Sequence, residues 1–544
     1  MDSWLVLSGL TLVEAYLLHR SLFPDLTLRY VGLATFGVNL TLLCIWKILI
    51  YPFFVSPLRH LPTLRGNLNH ARIIFDDPRG RLPLQWMKTI PNDGLIHFRD
   101  VLNRSYLLAT NHQALLDIMS TRTYDFEKPW RARDFLARII GFGLILSEGT
   151  EHRKQRRALT PSFNVRNIRA MYHLMWEKTG LLMDELEKEI RQYPMEGTGV
   201  DSGEGKVEMT VWASRLTLDI IGPAAMGRDF RSLQNPENKV ADSFLAILEP
   251  TREKMAFLAV NFALPQWLVR HIPWRLNRVV DTEIGFLRQL CHDIVKEKRA
   301  AIADSKAQEL EADILASIML SGDFSDEELV DQMLTFLAAG HETTASAFTW
   351  TCYLLTKHPE VQDRLRAEIR QRIPSGNAPI TWSDLESLPL LNGVCQEVLR
   401  LYPTVPVTLR EAMRDSVVAG AAIPKGTRIV LCPYAINRSP EFWGADGDQF
   451  RPERWIDRDK TGNPVVNHTG GASTNFAQIT FLHGQRSCIG KDFARAELRC
   501  AVAGVVGRFR LAMQDPKQVI HIAGAVTTKP VEGMHLRMSR VDEW

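Results

Sequence analysis

The sequence predicts a mostly α-helical fold with small β-sheets, preceded by a membrane anchor. Ser325 and Glu328 form a possible capping box, and apolar residues then repeat at helical spacing as far as His358. About 33 residues at ~1.5 Å each would make a helix of roughly 50 Å, long enough to cross the centre of a large globule. Strand signals are short, at residues 94–101 and at residues 427–432 after a Pro-Lys-Gly turn.

Composition excludes several classes of protein. Apolar residues make up 45% of the 544 positions and charged residues 23%, which is ordinary for a globular protein. The formal net charge is only +3 and no basic tract dominates, so no nucleic-acid partner is expected. The seven cysteines are scattered and never form a C-x-x-C pair, which argues against a disulfide framework or a zinc site.

Two apolar runs predict a membrane anchor within residues 1–55. The first, at about residues 4–18, is interrupted by Glu14, and the second, at about residues 30–50, contains Lys47. The second is long enough to span a hydrocarbon core of roughly 30 Å. The first could span, lie in the interface or act as a signal-like segment.

A proline-containing hinge is expected at residues 56–65, because prolines stiffen a linker. Basic residues around it suit the cytoplasmic flank of a membrane segment. Residues 66–544 then form one catalytic domain that faces the cytosol. A Gly-rich polar stretch at residues 196–205 predicts a surface loop between helices.

A cysteine bracketed by glycines stands just before a predicted helix. Cys488 precedes a helical pattern that begins at Lys491, and the positive end of a helix dipole favours the thiolate. Gly484 and Gly490 allow the backbone to fold tightly around the sulfur and a flat cofactor to approach. A buried cysteine in a Gly-containing loop, without chemistry, is the alternative interpretation.

The same segment resembles the haem-binding signature of the cytochrome P-450 family, F-x-x-G-x-R-x-C-x-G. It agrees at every fixed position: Phe481, Gly484, Arg486, Cys488 and Gly490. The resemblance, which extends over roughly residues 60–544, implies haem b (iron protoporphyrin IX) with Cys488 as the axial thiolate. A thiolate ligand donates electron density to the iron and favours O–O cleavage.

The segment Ala339-Gly340-His341-Glu342-Thr343 lies in the middle of the long helix and is similar to the family's A-G-x-[DE]-T motif. Glycine inside a helix costs about 1 kcal/mol relative to alanine, so a weak or bulged turn could open room for dioxygen and water there. The resemblance implies that Glu342 and Thr343 deliver protons during oxygen activation. A helix with a polar notch is the alternative.

Glu397 and Arg400 form an E-x-x-R pair on one helix face, and Arg454 follows in a P-E-R segment. Alone, such a pair is common on helix surfaces and contributes little. The resemblance implies a buried triad of these three residues behind the haem. Loss of one member should then prevent correct haem incorporation.

A basic stretch supplies candidate partners for the haem propionates. The family usually has W-x-x-x-R here, and His152 stands in the tryptophan position, as in many fungal members, with Arg156 one turn later. The resemblance implies that both face a propionate together with Arg410 and Arg486, because arginine suits a carboxylate. Other basic residues could receive an acidic flavoprotein: Arg153, Lys154, Arg157 and Lys491.

The resemblance also implies a reaction and an electron donor. The sequence has no flavin or nicotinamide motif, so electrons must come from another protein. The resemblance implies that this donor is NADPH–cytochrome P-450 reductase in the same endoplasmic reticulum membrane. The leading hypothesis is an O2-dependent monooxygenase that hydroxylates or epoxidises a lipophilic small molecule. Fungal-like features favour secondary metabolite biosynthesis, of terpenoid or polyketide type.

The family's substrate-facing segments correspond here to residues 124–148, 336–342, 404–409 and 524–528. Most of the predicted pocket residues are small or apolar, as in most ligand pockets: Phe142, Phe336, Ala339, Val405, Val407 and Val526. Three alternatives stay open. They are a fatty-acid or alkane hydroxylase, a haem-thiolate isomerase or dehydratase that does not use O2, and a membrane-anchored haem-binding protein without turnover.

Overall fold

Helices account for most of the chain, as predicted, in a computed structural model that describes residues 3–195, 203–249, 251–304, 313–524, 526–541 and 544. The first α-helices are α1 (Ser3–Ser21), α2 (Leu28–Ile45), α3 (Asn69–Ile74), α4 (Arg81–Thr89), α5 (His112–Leu116), α6 (Trp130–Ile140), α7 (Gly149–Leu159), α8 (Val165–Ala170), α9 (Tyr172–Gln192), α10 (Met209–Met226) and α11 (Lys239–Leu248). The later ones are α12 (Arg252–Ala263), α13 (Gln266–Val269), α14 (Arg275–Ala303), α15 (Ile314–Ser321), α16 (Asp326–Lys357), α17 (Pro359–Arg372), α18 (Trp382–Glu386), α19 (Pro389–Leu401), α20 (Pro433–Ile436), α21 (Pro440–Trp443) and α22 (Lys491–Arg508).

The strands are short and form small sheets. They are β1 (Leu95–Arg99), β2 (Ser105–Ala109), β3 (Phe126–Glu127), β4 (Glu204–Glu208), β5 (Thr408–Ala412), β6 (Ser416–Val418), β7 (Ala421–Ile423), β8 (Arg428–Leu431), β9 (Ile456–Arg458), β10 (Pro464–Val466), β11 (Phe509–Met513), β12 (Ile522–Ala523), β13 (Lys529–Pro530) and β14 (His535–Arg540). One sheet has the order β1-β2-β8-β5-β3 and another the order β11-β14-β4, and β6-β7, β9-β10 and β12-β13 are two-stranded. The strands predicted at residues 94–101 and 427–432 are β1 and β8.

The predicted loop at residues 196–205 is partly wrong. Residues 196–202 lie outside the described residues, but Glu204 and Gly205 belong to β4. That strand pairs antiparallel with β14, with Leu536 opposite Val207. A chain end that is distant in sequence therefore converts part of an expected loop into an edge strand, which local composition does not reveal.

The long helix α16 is central to the body. It begins after the capping box of Ser325 and Glu328 and ends before His358, as predicted. It packs against α10, α14, α19 and α22. Most of its side chains are buried on all sides, which is typical of a helix inside a large core.

The N-terminal helices pack against each other as an antiparallel hairpin. The Asn39 side-chain amide donates to the Glu14 carboxylate at 2.6 Å and to the Thr11 hydroxyl at 3.2 Å, so the polar groups of the two apolar runs satisfy each other. Helix α2 continues directly as a π-helical segment, Trp46–Val55. Within the described residues, Leu28–Val55 is the one helix that is long and apolar enough to cross a membrane, by length and composition.

Candidate active site

Cys488 lies between a short 3-10 helix, Gly484–Arg486, and the start of α22. Its own N–H donates to the Phe481 carbonyl at 2.8 Å, which closes the loop. Cys488 is exposed in this structure. The protein atoms packed around its thiol nevertheless raise the pKa, and the Gly490 N–H and the Arg156 charge oppose that rise. A bound metal cation would complete the stabilisation of the thiolate.

The cysteine loop stacks closely on the π-helical turn Asp117–Thr121. Gly484 has φ +69°, and a Cβ there would lie 2.0 Å from the Met119 carbonyl oxygen. Only glycine fits this close approach. Gly484 therefore sets how closely the cysteine loop packs against the turn Asp117–Thr121.

The Arg486 side chain is buried beside this loop. It forms an ion pair with Glu148 and lies 4.9 Å from the centroid of the Tyr124 ring. Its Nη1 faces the Glu148 carboxylate, whereas Nε and Nη2 have no hydrogen-bond acceptor among the described residues. Buried donors without acceptors are costly, and a carboxylate of a bound group would satisfy them. This chain therefore fits a haem whose propionate reaches Arg486.

Other cations surround Arg486. Arg410 is buried and donates to the Leu409 carbonyl at 2.8 Å. Burial, followed by the charge of Arg410, lowers the pKa of Lys128 to about 7. These three cations share mainly the carboxylate of Glu148, so positive charge is in excess. Two propionate carboxylates would balance it.

His152 is neutral in this environment. Burial and the neighbouring cations, Arg486 first among them, lower its pKa to about 3. Its Nδ1 lies 3.1 Å from the Tyr124 hydroxyl, so Nε2 can carry the hydrogen. A neutral imidazole then offers one N–H donor, as an indole would, which accounts for histidine in the tryptophan position.

Helix α7 connects the cysteine loop to α16. Arg156 donates to the Ser487 carbonyl at 2.6 Å, one residue before the cysteine. The preceding residue, Gln155, accepts from the Gln332 amide of α16 at 2.9 Å. Arg156 thus holds the backbone of the loop in this structure, and its expected contact with a propionate stays a prediction.

The middle of α16 is continuous α-helix, so the bulged turn expected at Gly340 is wrong. A Cβ on Gly340 would lie 2.6 Å from Cγ1 of Ile221, so the glycine permits close packing of α10. The Thr343 hydroxyl donates to the Ala339 carbonyl at 2.7 Å. Residues 338–340 and Thr343 are half-exposed within an otherwise buried helix.

Glu342 is buried and forms an ion pair with Lys529 of β13, with 2.7 Å between nitrogen and oxygen. The Thr527 hydroxyl also donates to it, at 3.3 Å. Burial has the largest single effect and would raise the pKa of Glu342, but the charges of Lys529 and His341 and the hydrogen bonds from Lys529 and Thr527 together hold the pKa below its ordinary value. The carboxyl group is therefore ionised at neutral pH.

A second carboxyl group lies behind α16. Glu497 of α22 is fully buried next to Thr344, and neither of its oxygens has a hydrogen-bond partner among the described residues. Burial raises its pKa well above the ordinary value. Burial therefore favours the protonated form of Glu497, whereas the partners of Glu342 favour its ionised form.

The residues of the predicted triad meet in the core. Both Oε atoms of Glu397 accept from Arg400, at 2.7 and 2.8 Å, and Arg454 donates to the same carboxylate at 3.0 Å. Trp455 adds its indole N–H at 2.9 Å. Burial alone would raise the pKa of Glu397, but these hydrogen bonds and charges lower it. The network joins α19 to the P-E-R segment.

The family profile described as Cytochrome P-450 matches residues 99–537. The chain belongs to the cytochrome P-450 family. Among curated proteins, this P-450 is 39% identical to the cytochrome P-450 monooxygenase sphH of Aspergillus fumigatus, over 96% of each chain. It is 35% identical to the monooxygenase ptmK of Penicillium ochrochloron, over 92% of this chain and 98% of that one.

A solved structure shows the same fold. The haem domain of cytochrome P-450DA superimposes with a TM-score of 0.71 at 23% identity, over 88% of this chain and 98% of that one. With the similarity to the monooxygenases, this P-450 is an oxidoreductase of the monooxygenase type. The family implies haem, dioxygen, electrons from a reductase and a small-molecule substrate.

The predicted pocket residues of this P-450 differ in exposure. Phe336 is buried, with its ring centroid 5.7 Å from that of Phe163. Ala339, Val405 and Val407 are half-buried, whereas Phe142 and Val526 are exposed. Their roles in binding substrate stay predictions.

Sequence reasoning missed Lys128, Glu148, Glu497 and Lys529. Each is a single charged residue without a motif, and Lys529 is 187 positions from its partner Glu342. Glu497 gave one usable signal, since it stands within the apolar pattern that follows the cysteine motif. The other three become recognisable only when the fold brings them together.

Arg454→Met should destabilise the folded protein by about 3–5 kcal/mol and reduce haem content, because it leaves part of a buried ion network unpaired. Arg451→Met is the matched control. Its side chain is exposed and pairs with Asp446, so its loss should cost less than about 1 kcal/mol. Urea unfolding and the haem-to-protein absorbance ratio measure both effects; equal losses in the two variants would contradict a special role for the buried network.

Lys529→Met should destabilise the protein by about 3–5 kcal/mol at pH 7, because it leaves Glu342 buried and unpaired. In the wild type, the pKa of Glu342 is lower in the folded protein than in the unfolded protein. The ionised carboxylate therefore stabilises the fold at pH values above the unfolded pKa, and this stabilisation is lost as the pH falls through the folded pKa. Without Lys529, burial raises the pKa, so the deficit should shrink as the pH falls from 7 towards about 5. Urea unfolding at both pH values measures it, with the exposed Lys188→Met as control; a deficit independent of pH would refute the assignment.

Proposed function

We propose that this P-450 hydroxylates or epoxidises a lipophilic small molecule, with haem b held by Cys488 and electrons from NADPH through a membrane-bound reductase. The observation that carries the proposal is the pairing of an accessible cysteine, in a loop fixed by Gly484, with the buried Arg486, whose Nε and Nη2 have no acceptor among the described residues. A cysteine thiolate is one of the side chains that bind haem iron, and buried guanidinium groups suit the propionates. Bound there, haem would supply the activation of dioxygen.

The chain's own residues would hold the haem by its edge and by its metal. Arg486, Arg410 and His152 would bind propionates, with Lys128 as a further cation. Phe481 and Gly490 shape the loop, and the Gly490 N–H would remain directed at the sulfur. The Glu397 network would keep the loop at a constant distance from the core.

Protons would reach the reaction along the middle of α16. Thr343 is half-exposed there, and its hydroxyl can release the Ala339 carbonyl to donate elsewhere. Glu342 is ionised and held by Lys529, so it would accept a proton from the solvent side before passing it on. The ionised state of Glu342 thus assigns it the role of relay, and Thr343 the role of donor.

The substrate is proposed to be a fungal secondary metabolite of terpenoid or polyketide type. The pocket candidates named above are apolar, and the curated relatives quoted above come from fungi. We place the protein in the endoplasmic reticulum membrane, anchored within residues 1–55, with a hinge at 56–65 and the catalytic domain 66–544 in the cytosol. The apolar helix Leu28–Val55 supports this arrangement.

Microsomes that contain this P-450 and the reductase should consume NADPH and O2 when given a metabolite extract from the native host, and one compound should gain an oxygen atom. Cys488→Ala should abolish product and remove the red-shifted band of the reduced carbon monoxide complex. Cys500→Ala, a buried cysteine on α22, is the control and should keep both. Product without consumption of O2 would refute the monooxygenase reaction, and a retained band in Cys488→Ala would move the ligand elsewhere.

Thr343→Ala should lower the rate of product formation by up to roughly a hundredfold and divert electrons to hydrogen peroxide, because a positioned proton donor is lost. Thr349→Ala is the matched control, since its hydroxyl also donates to the carbonyl four residues before it but is fully buried. Peroxide and product per NADPH are measured in both. Unchanged coupling in Thr343→Ala would remove this hydroxyl from the proton path.

A further inference from the structure

A cavity of about 600 Å³ lies where the anchor joins the body. The anchor helix contributes Leu49 and Phe53, the hinge contributes Arg59, and β1 contributes Arg99. The cavity is far in sequence from the cysteine loop, and no step of the proposed reaction uses it. Its composition is unusual because apolar side chains face a group of arginines.

The charge of this cavity is wholly positive. Arg59, Arg65 and Arg99 line it, and no aspartate or glutamate does so among the described residues. The guanidinium of Arg99 stacks on the Phe53 ring at 4.1 Å, and its buried Nε has no hydrogen-bond acceptor in the part of the chain that the structure describes. Three guanidinium groups without a carboxylate favour an anion, and arginine binds phosphate through paired N–H donors.

The position of the cavity along the anchor corresponds to the depth of lipid headgroups. About twenty helical residues span a hydrocarbon core of roughly 30 Å, so a span that begins at Leu28 leaves the core near Lys47. The cavity follows directly, at Leu49 and Phe53. This step rests on the membrane placement proposed above.

The edge of the body beside the cavity is apolar and exposed. In the turn between β1 and β2, Val101 is 56% and Leu102 67% exposed. The next residue, Asn103, donates its side-chain amide to the Ile48 carbonyl at 2.8 Å, which fixes the turn against the anchor helix. Exposed apolar residues beside a membrane helix indicate a surface that enters the interface.

We propose that this cavity binds one anionic glycerophospholipid, with the phosphate between Arg59, Arg65 and Arg99 and the start of an acyl chain along Leu49 and Phe53. A net negative headgroup is favoured over phosphatidylcholine, which has no net charge to balance three guanidinium groups. The bound lipid would fix the angle between the anchor and the body. It would act as a structural ligand of this P-450.

The full-length, haem-loaded protein is placed in nanodiscs of phosphatidylcholine that contain a minor fraction of phosphatidylserine, and lipids retained after mild detergent are counted by native mass spectrometry. We expect one phosphatidylserine per wild-type chain. The triple variant Arg59→Gln/Arg65→Gln/Arg99→Gln should lose it, with an affinity about tenfold weaker for each charge-assisted hydrogen bond removed. The control Arg166→Gln/Lys460→Gln/Lys517→Gln removes the same charge from exposed positions of the body and should retain the lipid.

Equal retention in the two triple variants, or equal retention of both lipids by the wild type, would overturn the proposal. Glycerol phosphate supplies the phosphate without acyl chains, and displacement of the lipid by an equal concentration of it would also overturn the lipid assignment. If the triple variant does not fold, Arg65→Gln alone, at an exposed position, replaces it in the same measurement. Resistance of the protein to extraction from membranes by alkaline carbonate reports the anchor separately, so failure of the membrane placement is distinguishable from failure of this site.

Discussion

The geometry of the cysteine loop depends on one buried carboxylate. Glu397 accepts hydrogen bonds from Arg400, Arg454 and Trp455, and Arg400 in turn donates to the Asn437 carbonyl at 2.7 Å. The Asn437 side chain accepts from the backbone of Ile479 at 2.9 Å, two residues before the motif begins. A path of hydrogen bonds therefore connects α19 to the chain segment that leads into the cysteine loop. Such a network fixes geometry more than it adds net stability.

Three buried ionisable groups around the proposed haem site differ in the partners that surround them. Glu342 keeps its charge because Lys529 pairs with it, whereas Glu497 has no counter-ion among the described residues and burial favours its protonated form. Arg486 pairs with Glu148, but its Nε and Nη2 have no acceptor in the described part of the chain. In the same low dielectric, the nearest partner thus decides which form of a buried group is favoured.

The sequence pattern was sufficient to predict those features that depend on residues close to one another in the chain. The ends of α16 followed from a capping box at Ser325 and from Pro359, which cannot continue a helix. The prediction of a bulged turn at Gly340 was wrong because this glycine makes room for Ile221 of another helix. That contact cannot be recognised from the residues that neighbour Gly340 in the sequence. Lys529 was missed for the same reason. The proposed haem-binding residues rest instead on a family resemblance, which carries long-range information that spacing alone lacks.

The pairing of Glu14 with Asn39 has a consequence for the order of events during synthesis. A carboxylate alone in the middle of a bilayer costs about 2.5–3.5 kcal/mol on insertion scales, and its partner lies 25 residues further along the chain. Under the proposed membrane placement, the first helix would therefore gain its polar partner only after Asn39 of α2 has been translated. Entry of the two helices into the lipid as a pair would avoid an unpaired Glu14 in the bilayer, so synthesis of α2 would set the earliest moment for a stable anchor.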